Sequence, residues 1–261
     1  MRTIVLGAGG MLGQEVVRAT GAEALTRAEL DVTDARAVSE AIGAGDLVIN
    51  CAAWTDVDGA EEHPEQALRV NAEGAGNVAQ AAGAVVYVSS DYVFDGLKRE
   101  PYLESDPVGP LSSYGRSKLE GERATAAANP RHFIVRSAWL FGSGGRNFVD
   151  TMLRLGPELR VVDDQVGCPT FTGHLADALA ALVRDENFGV HHMAASGTCS
   201  WFEFAREIFT LAGREVDLTP CTTEEFPRPA QRPEWSVLGS ERGHQLPHWR
   251  EGLQAYLGVR V

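Results

Sequence analysis

Short runs of apolar residues alternate with longer stretches in which apolar positions recur at helical spacing. Residues 3–7 (TIVLG) read as a buried strand, and residues 11–20 (MLGQEVVRAT) as the helix that follows. Residues 23–27 (EALTR) read as a weak second strand. Residues 33–42 predict a helix with an acidic first turn and with Ala37, Val38 and Ile42 at helical spacing. The alternation continues with a strand over 46–53 (DLVINCAA), a long Ala- and Gly-rich helix over 64–82 and a strand over 84–90 (AVVYVSS). A helix over 112–128, a strand over 132–141 (HFIVRSAWLF) and a helix over 146–155 follow. The strands are continuous apolar runs rather than alternating ones, as expected of a parallel sheet covered on both faces. The pattern therefore predicts an α/β fold with a doubly wound parallel sheet.

Beyond about residue 157 the texture changes. A short strand and a loop occupy LRVVDDQVGCPTF, and residues 172–185 are helical with Thr172 as the expected N-cap. Residues 189–195 read as a strand. Residues 200–213 open on a Ser-x-x-Glu capping box and close at Gly213. Residues 217–237, rich in Pro and Thr, read as loop. The expected division is a first domain over 1–157 and a smaller C-terminal lobe over 158–261, with return of some segments to the main sheet left open.

Composition narrows the function. Lys and Arg number 23 against 36 Asp and Glu, a formal net charge of −13 with no dense basic run. A duplex nucleic-acid partner needs a basic face, so none is expected. An anionic ligand must be held locally, by helix N-termini and single arginines. The four cysteines (Cys51, Cys168, Cys199, Cys221) lack metal-clip spacing, and the seven histidines form no metal motif. No metal is predicted. No apolar run approaches the roughly 20 residues of a membrane span, and no secretory signal precedes the first strand, so a cytoplasmic location is expected.

The candidate chemistry begins at GAGGMLG. Gly7, Gly10 and Gly13 stand between the first strand and the first helix, where a Rossmann-like fold holds a dinucleotide. Gly7 makes the tight turn, Gly10 lets the backbone approach a pyrophosphate, and Gly13 lets helix and strand pack closely. The second strand ends in LTR, with Arg27 where an acid would select the ribose 2′-hydroxyl of NADH. Arginine there can receive a 2′-phosphate, so NADPH is expected, with NADH as the open alternative. Asp31 would lie near the adenine, and Asp34 is read as a helix cap.

The second element is SSYGRSK. Tyr114 and Lys118 are four apart and share one helix face. A free tyrosine has a pKa of about 10, and a neighbouring ammonium is expected to lower it. Such a phenol can protonate a carbonyl oxygen as hydride reaches the carbon. Ser90 ends a strand at the sheet edge where α/β folds bind ligands. Gly7–Gly10, Ala52–Thr55, Ser90–Tyr92 and Trp139 also follow predicted strands, so these strand ends converge on one crevice. Trp201, Phe202, Phe204 and Phe209 read as core, and His191 and His192 as structural.

Taken with NCAA, these residues resemble an extended short-chain dehydrogenase/reductase. In order along nearly the whole chain, AAWTDVDGAE, VNAEGAGNVAQAA, SSDYVFDG, PLSSYGRSKLEGE, VRSAWLFG, DDQVGCPT and RPAQRPEWSVLGS resemble the dTDP-4-dehydrorhamnose reductases. The resemblance implies NAD(P)H-dependent reduction of the 4-keto group of a dTDP-6-deoxy-hexulose. It makes Tyr114 the proton donor, Lys118 its partner and Ser90 a hydroxyl where threonine is common. It assigns the cofactor to Gly7, Gly10, Met11, Leu12, Gly13, Arg27, Asp31, Val32, Ala52, Ala53, Trp54, Tyr114 and Lys118. It assigns the dTDP-sugar to Thr55, Val57, Ser90, Asp91, Tyr92, Trp139 and Arg232. Arg228 and Arg232 are candidates for the diphosphate, Arg232 first. Magnesium held between subunits by glutamates occurs in some members, and Glu15 matches one such position; a homodimer is left open. The alternatives are a 4-ketoreductase for another dTDP-deoxysugar and a non-catalytic subunit resembling the regulatory subunit of methionine adenosyltransferase.

Overall fold

The computed structural model describes residues 2–258. Strands β1 (Thr3–Leu6), β2 (Glu23–Leu25), β3 (Leu47–Asn50), β4 (Ala84–Ser90) and β5 (His132–Ser137) alternate with helices. Those helices are α1 (Met11–Thr20), α2 (Ala35–Ala41), α3 (Gly59–Glu62), α4 (Pro64–Leu68), α5 (Gly74–Ala81) and α6 (Ser113–Ala128). There follow β6 (Leu140–Phe141), α7 (Phe148–Arg154), β7 (Glu158–Val162), β8 (Val166–Gly167), β9 (Thr170–Phe171), α8 (Thr172–Leu182) and β10 (Gly189–His192). The described chain ends with β11 (Ala195–Ser196), β12 (Cys199–Ser200), α9 (Trp201–Leu211), β13 (Asp217–Cys221), β14 (Leu246–His248) and α10 (Trp249–Leu257).

A six-stranded sheet in the order β2-β1-β3-β4-β5-β10 forms the centre, and every pairing in it is parallel. The doubly wound expectation holds because neighbouring residues of each strand face opposite layers. Val5, Ile49, Val86 and Val135 meet α1 and α8 on one face, through Leu12, Val16, Leu175 and Leu179. Ile4, Leu6, Val48 and Val85 meet α2 and α5 on the other, through Val38 and Val78. Full burial of each such side chain contributes roughly 1.5–3 kcal/mol. The sheet takes its sixth strand, and α1 its packing partner α8, from beyond residue 157. A separate aromatic core joins Phe141, Phe204, Phe209 and Trp249 beside the parallel β7–β13 ladder.

Helix α6 carries Tyr114, Lys118 and Glu122 at successive four-residue steps, so all three face the sheet. Glu122 meets Arg136 of β5 in a two-pronged ion pair, with Oε1 accepting from Nε at 2.8 Å and Oε2 from Nη2 at 2.7 Å. The side chains are only 5% and 6% exposed. Ser89 of β4 donates to the same carboxylate at 2.6 Å, and the Arg136 guanidinium lies 5.1 Å from the Phe94 ring centre.

Several elements differ from the sequence reading. The helix expected over 64–82 contains a π-turn at Arg69–Glu73, where the Asn71 carbonyl accepts from the Tyr87 hydroxyl at 2.9 Å. Thr172 does not cap α8: it is the first helical residue, the cap is Phe171 without a side-chain bond, and the Thr172 hydroxyl is buried without a partner among the described residues. Strand 132–141 breaks at Ala138–Trp139, where Trp139 takes a left-handed φ of 46°. Residues 217–221, expected as loop, form β13 because β7 offers an edge for them. The strand and helix over 246–257 had no counterpart in the sequence reading, although His248 and Glu251 form a capping box there.

Glu122→Ala leaves the Arg136 guanidinium buried and unpaired. We expect a loss of about 3–5 kcal/mol in urea unfolding, whereas Glu122→Leu combined with Arg136→Met comes close to the parent. A loss below about 1 kcal/mol for the single variant would contradict this role.

Candidate active site

The sheet order reverses at the neighbouring strands β1 and β3, and the crevice beyond their carboxyl ends is the ligand position of this architecture. Gly7 turns there with φ 69°, and a Cβ on it would stand 2.6 Å from the Ala52 nitrogen. A Cβ on Gly13 would stand 2.3 Å from the Gly7 carbonyl oxygen. Both contacts are too short for any side chain, so these glycines allow α1 to start against the strand ends. Gly10 is the N-cap of α1 and offers no side-chain cap, which leaves the first N–H groups of the helix free for an anion.

These elements border a cavity of about 550 Å³. Every residue assigned to the cofactor from sequence lines it: Gly7, Gly10, Met11, Leu12, Gly13, Arg27, Asp31, Val32, Ala52, Ala53, Trp54, Tyr114 and Lys118. Thr55 lines it too. At the second-strand end, Arg27 is 82% exposed and lies 3.5 Å from Asp31. Asp31 accepts from the Thr33 N–H at 2.9 Å and the Thr33 hydroxyl at 2.8 Å, and these bonds lower its pKa. Asp34 caps α2 through the Ala37 N–H, as read from sequence. Trp54 is fixed by Asn71, whose side chain accepts from the Trp54 N–H at 2.8 Å and donates to its carbonyl at 3.1 Å.

At the other end, Ser112 caps α6 through the Gly115 N–H at 3.1 Å. A Cβ on Gly115 would stand 2.2 Å from the Tyr92 carbonyl oxygen, so glycine lets the helix close on the 91–93 turn. That approach sets Tyr114 edge-on to Tyr92, with ring centres 5.9 Å apart. Lys118 is 2% exposed; its Nζ donates to the Val88 carbonyl at 2.7 Å and lies 4.2 Å from the Tyr87 ring centre. Burial pulls the Lys118 pKa down to about 7, against the charge of Glu122.

The expected lowering of the Tyr114 pKa by the ammonium is not met. Burial pushes Tyr114 up to about 12; a hydrogen bond from Ser90 opposes this and the charge of Asp91 adds to it. Desolvation of the phenolate dominates, and the Lys118 ammonium, whose own pKa burial brings down to about 7, is not among the groups that shift Tyr114.

The remaining substrate candidates, Val57, Ser90, Asp91, Tyr92, Trp139 and Arg232, do not line this cavity. Ser90 and Asp91 lie beside Tyr114 at the end of β4. Trp139 stacks face to face on Trp201, with centres 3.5 Å apart and planes 3° from parallel. Trp201, read as core, is therefore a half-buried partner in that stack, while Phe204 and Phe209 are buried as expected. Arg232 donates to Asp58 Oδ1 at 2.6 Å and to the Ala230 carbonyl at 2.6 Å, and also meets Tyr92. Arg228 pairs with the same Asp58. Burial raises the Asp58 pKa, but the bonds from Arg232, the Ala230 N–H and Arg228 prevail and hold it at about 2.

Sequence reasoning missed Leu30, Cys51, Val70, Val88, Ser89, Leu140, Gly145 and Arg146, which also line the cavity. The glycine-rich GSGGRN after Trp139 was a signal for Gly145 and Arg146; Val70 comes into place only through the π-turn. His191 and His192 are buried and hydrogen-bonded, as structural residues should be. Glu15 pairs with Arg18 at 2.7 Å, and among the described residues no three metal-ligating side chains gather. No helix among the described residues is long and apolar enough to cross a membrane.

Comparison with known proteins agrees with this geometry. The family model for the RmlD substrate binding domain matches residues 1–260. A dTDP-4-dehydrorhamnose reductase of Mycolicibacterium smegmatis is 43% identical, over 97% of this chain and 84% of the relative. A probable dTDP-4,6-dihydroxy-2-methyloxan-3-one 4-ketoreductase of Streptomyces antibioticus is 40% identical, over 97% and 94%. The crystal structure of a dTDP-4-dehydrorhamnose reductase from Bacillus anthracis, in complex with NADP, is 37% identical and has a TM-score of 0.94 over 98% of both chains.

The Asp58 geometry predicts an acid-side effect. A carboxyl held below its unfolded value stabilises the fold above pH 4, and that stability drains away as pH falls toward 2. Asp58→Asn should cost about 1–2 kcal/mol at pH 6 in urea unfolding, and the gap should narrow steadily between pH 4 and pH 3. A gap independent of pH would contradict the assignment.

Proposed function

The chain belongs to the dTDP-4-dehydrorhamnose reductase family, and from that premise we propose that it uses NADPH to reduce the 4-keto group of dTDP-4-dehydro-6-deoxy-L-mannose, yielding dTDP-L-rhamnose. One observation carries this reading: the glycine turn at Gly7–Gly13 and the Tyr114–Lys118 pair border the same cavity.

The residues fit the cofactor. The open face of Gly10 and the uncapped start of α1 suit a pyrophosphate, and exposed Arg27 suits a 2′-phosphate. When bound, the dihydronicotinamide supplies a hydride to the carbonyl carbon. Tyr114 supplies the proton to the carbonyl oxygen. Burial keeps this phenol protonated at neutral pH, so it is loaded to donate. Although it is a weak acid, the alkoxide forming beside it is a far stronger base, and the transfer runs downhill. Lys118, fixed by the Val88 carbonyl and the Tyr87 ring, lines the cavity; its remaining N–H groups would be available to hold the cofactor, and its charge would offset that which Tyr114 acquires. Trp139, stacked on Trp201, is the aromatic candidate for contact with the sugar.

A second reading is a 4-ketoreductase for a different dTDP-deoxysugar, favoured by the 40% identity to the Streptomyces antibioticus relative. A non-catalytic role is disfavoured because Ser90, Tyr114 and Lys118 are all present. The chain's own pairing into a homodimer is compatible with either reading.

Purified protein should oxidise NADPH when given dTDP-4-dehydro-6-deoxy-L-mannose, and Tyr114→Phe should lower kcat by roughly 10²–10⁴-fold. Unchanged turnover in that variant would remove Tyr114 as proton donor. A panel of dTDP-keto sugars separates the two readings, since the true substrate gives the highest kcat/KM. Arg27→Ala should raise KM for NADPH more than for NADH, as follows from a lost 2′-phosphate contact; an equal rise for both would place the arginine elsewhere.

A further inference from the structure

Beside Tyr114, the carboxyl of Asp91 is 2% exposed, and its Oδ2 is buried without a hydrogen-bond partner among the described residues. Its Oδ1 lies 3.0 Å from the Ser90 hydroxyl oxygen. A hydroxyl has one hydrogen and two lone pairs. One lone pair of Ser90 accepts from the Tyr92 N–H at 3.2 Å. A carboxylate can only accept, so an ionised Asp91 claims the single hydrogen of Ser90. Ser90 then has nothing to donate to a substrate oxygen.

Protonation of Asp91 at Oδ1 reverses the bond. The acid donates to the second lone pair of Ser90, and the Ser90 hydrogen is released from Asp91 toward Tyr114, its other hydrogen-bond neighbour, and a substrate oxygen bound there. Oδ1 is the better seat for that proton: at Oδ2 it would be a buried donor with no acceptor, which costs about 1–3 kcal/mol.

We infer that Asp91 serves the reaction as a neutral acid, a positioning residue whose proton turns the Ser90 hydroxyl toward the substrate carbonyl so that Ser90 and Tyr114 donate to the same oxygen. This rests on the reductase reading above. The balance is simple: hydride goes to carbon, the Tyr114 proton goes to oxygen, and the protons of Asp91 and Ser90 stay where they are.

The surroundings support it. Burial pushes the Asp91 pKa up to about 7, opposed by Ser90, by nearby N–H groups and by Ser236, which lies close to the carboxyl without meeting hydrogen-bond geometry. The titratable neighbours are Tyr92 on the same turn, Tyr114 on α6 and Cys168 between β8 and β9, all with pKa values raised by burial. Arg232 commits donors to Asp58, Ala230 and Tyr92. A charged Asp91 would also oppose the phenolate that Tyr114 becomes on giving up its proton.

The test compares kcat against pH for the wild type and Asp91→Asn, with NADPH and the 4-keto sugar saturating. The amide of asparagine can donate to Ser90 at every pH. Lys118 titrates in the same range and contributes its own alkaline loss, so the ratio of the two rates is the readout. Above pH 7 the ratio of variant to wild-type kcat should rise by up to roughly tenfold per pH unit. A ratio flat with pH, in the presence of wild-type turnover, overturns the inference and leaves the reductase reading standing. Absence of wild-type turnover overturns the reductase reading instead. Infrared titration of the wild-type protein decides the protonation state in either event and does not need the variant to fold. A carboxylic-acid carbonyl band from labelled aspartate should persist at pH 6 and vanish by pH 8.5; no such band at pH 6 overturns the inference.

Discussion

The buried Glu122–Arg136 pair is the constraint on which the site depends. It ties α6 to β5 at one fixed rotation and height. Because Tyr114 and Lys118 lie eight and four residues before Glu122 on the same helix face, that rotation also points them at the carboxyl ends of the strands. An apolar contact at position 122 could slide or turn. Two parallel hydrogen bonds between planar groups cannot do so without stranding a charge. The same carboxylate fixes Ser89 and supports the charge of Lys118, so the element that sets the geometry also adjusts the chemistry.

The rest of the site follows from the order of the sheet. Reversal at β1 and β3 opens the crevice, and Gly7 and Gly13 let α1 begin at its floor. Gly115 plays the matching part on the far side, where α6 closes on the turn that carries Ser90 and Asp91. The glycine turn and the Tyr114–Lys118 pair are thus brought to one cavity by backbone contacts that exclude a Cβ. The groups beside this crevice are held differently, by side chains distant in sequence: Trp201 braces Trp139, and Asp58 gathers Arg228 and Arg232.

The central sheet was legible because β1, β3, β4 and β5 are continuous apolar runs separated by helical periodicity, and many of the cavity-lining residues were legible because they sit at the ends of those strands. What escaped the sequence depends on distant partners. Asp217–Cys221 is a strand only because β7 lies beside it. The π-turn at Arg69–Glu73 answers to Tyr87 and Asn71, neither of which marks the sequence locally. The Tyr114 pKa was misread for a related reason: spacing reveals the lysine, whereas the depth of burial that overrides it belongs to the folded state. Arg232 was read as a candidate for the diphosphate, and its pairing with Asp58, far away in the chain, left no local mark.

The account stands or falls on hydride transfer at the mouth of this cavity. The direct measurement is reduction of the dTDP-4-keto sugar with NADPH carrying deuterium at nicotinamide C4, followed by proton NMR and mass analysis of the product. We predict one deuterium, from one face of the nicotinamide only, at C4 of the hexose and nowhere else. Product without deuterium from either labelled face, or label at another sugar carbon, would contradict the assignment of the cavity and of Tyr114 to carbonyl reduction.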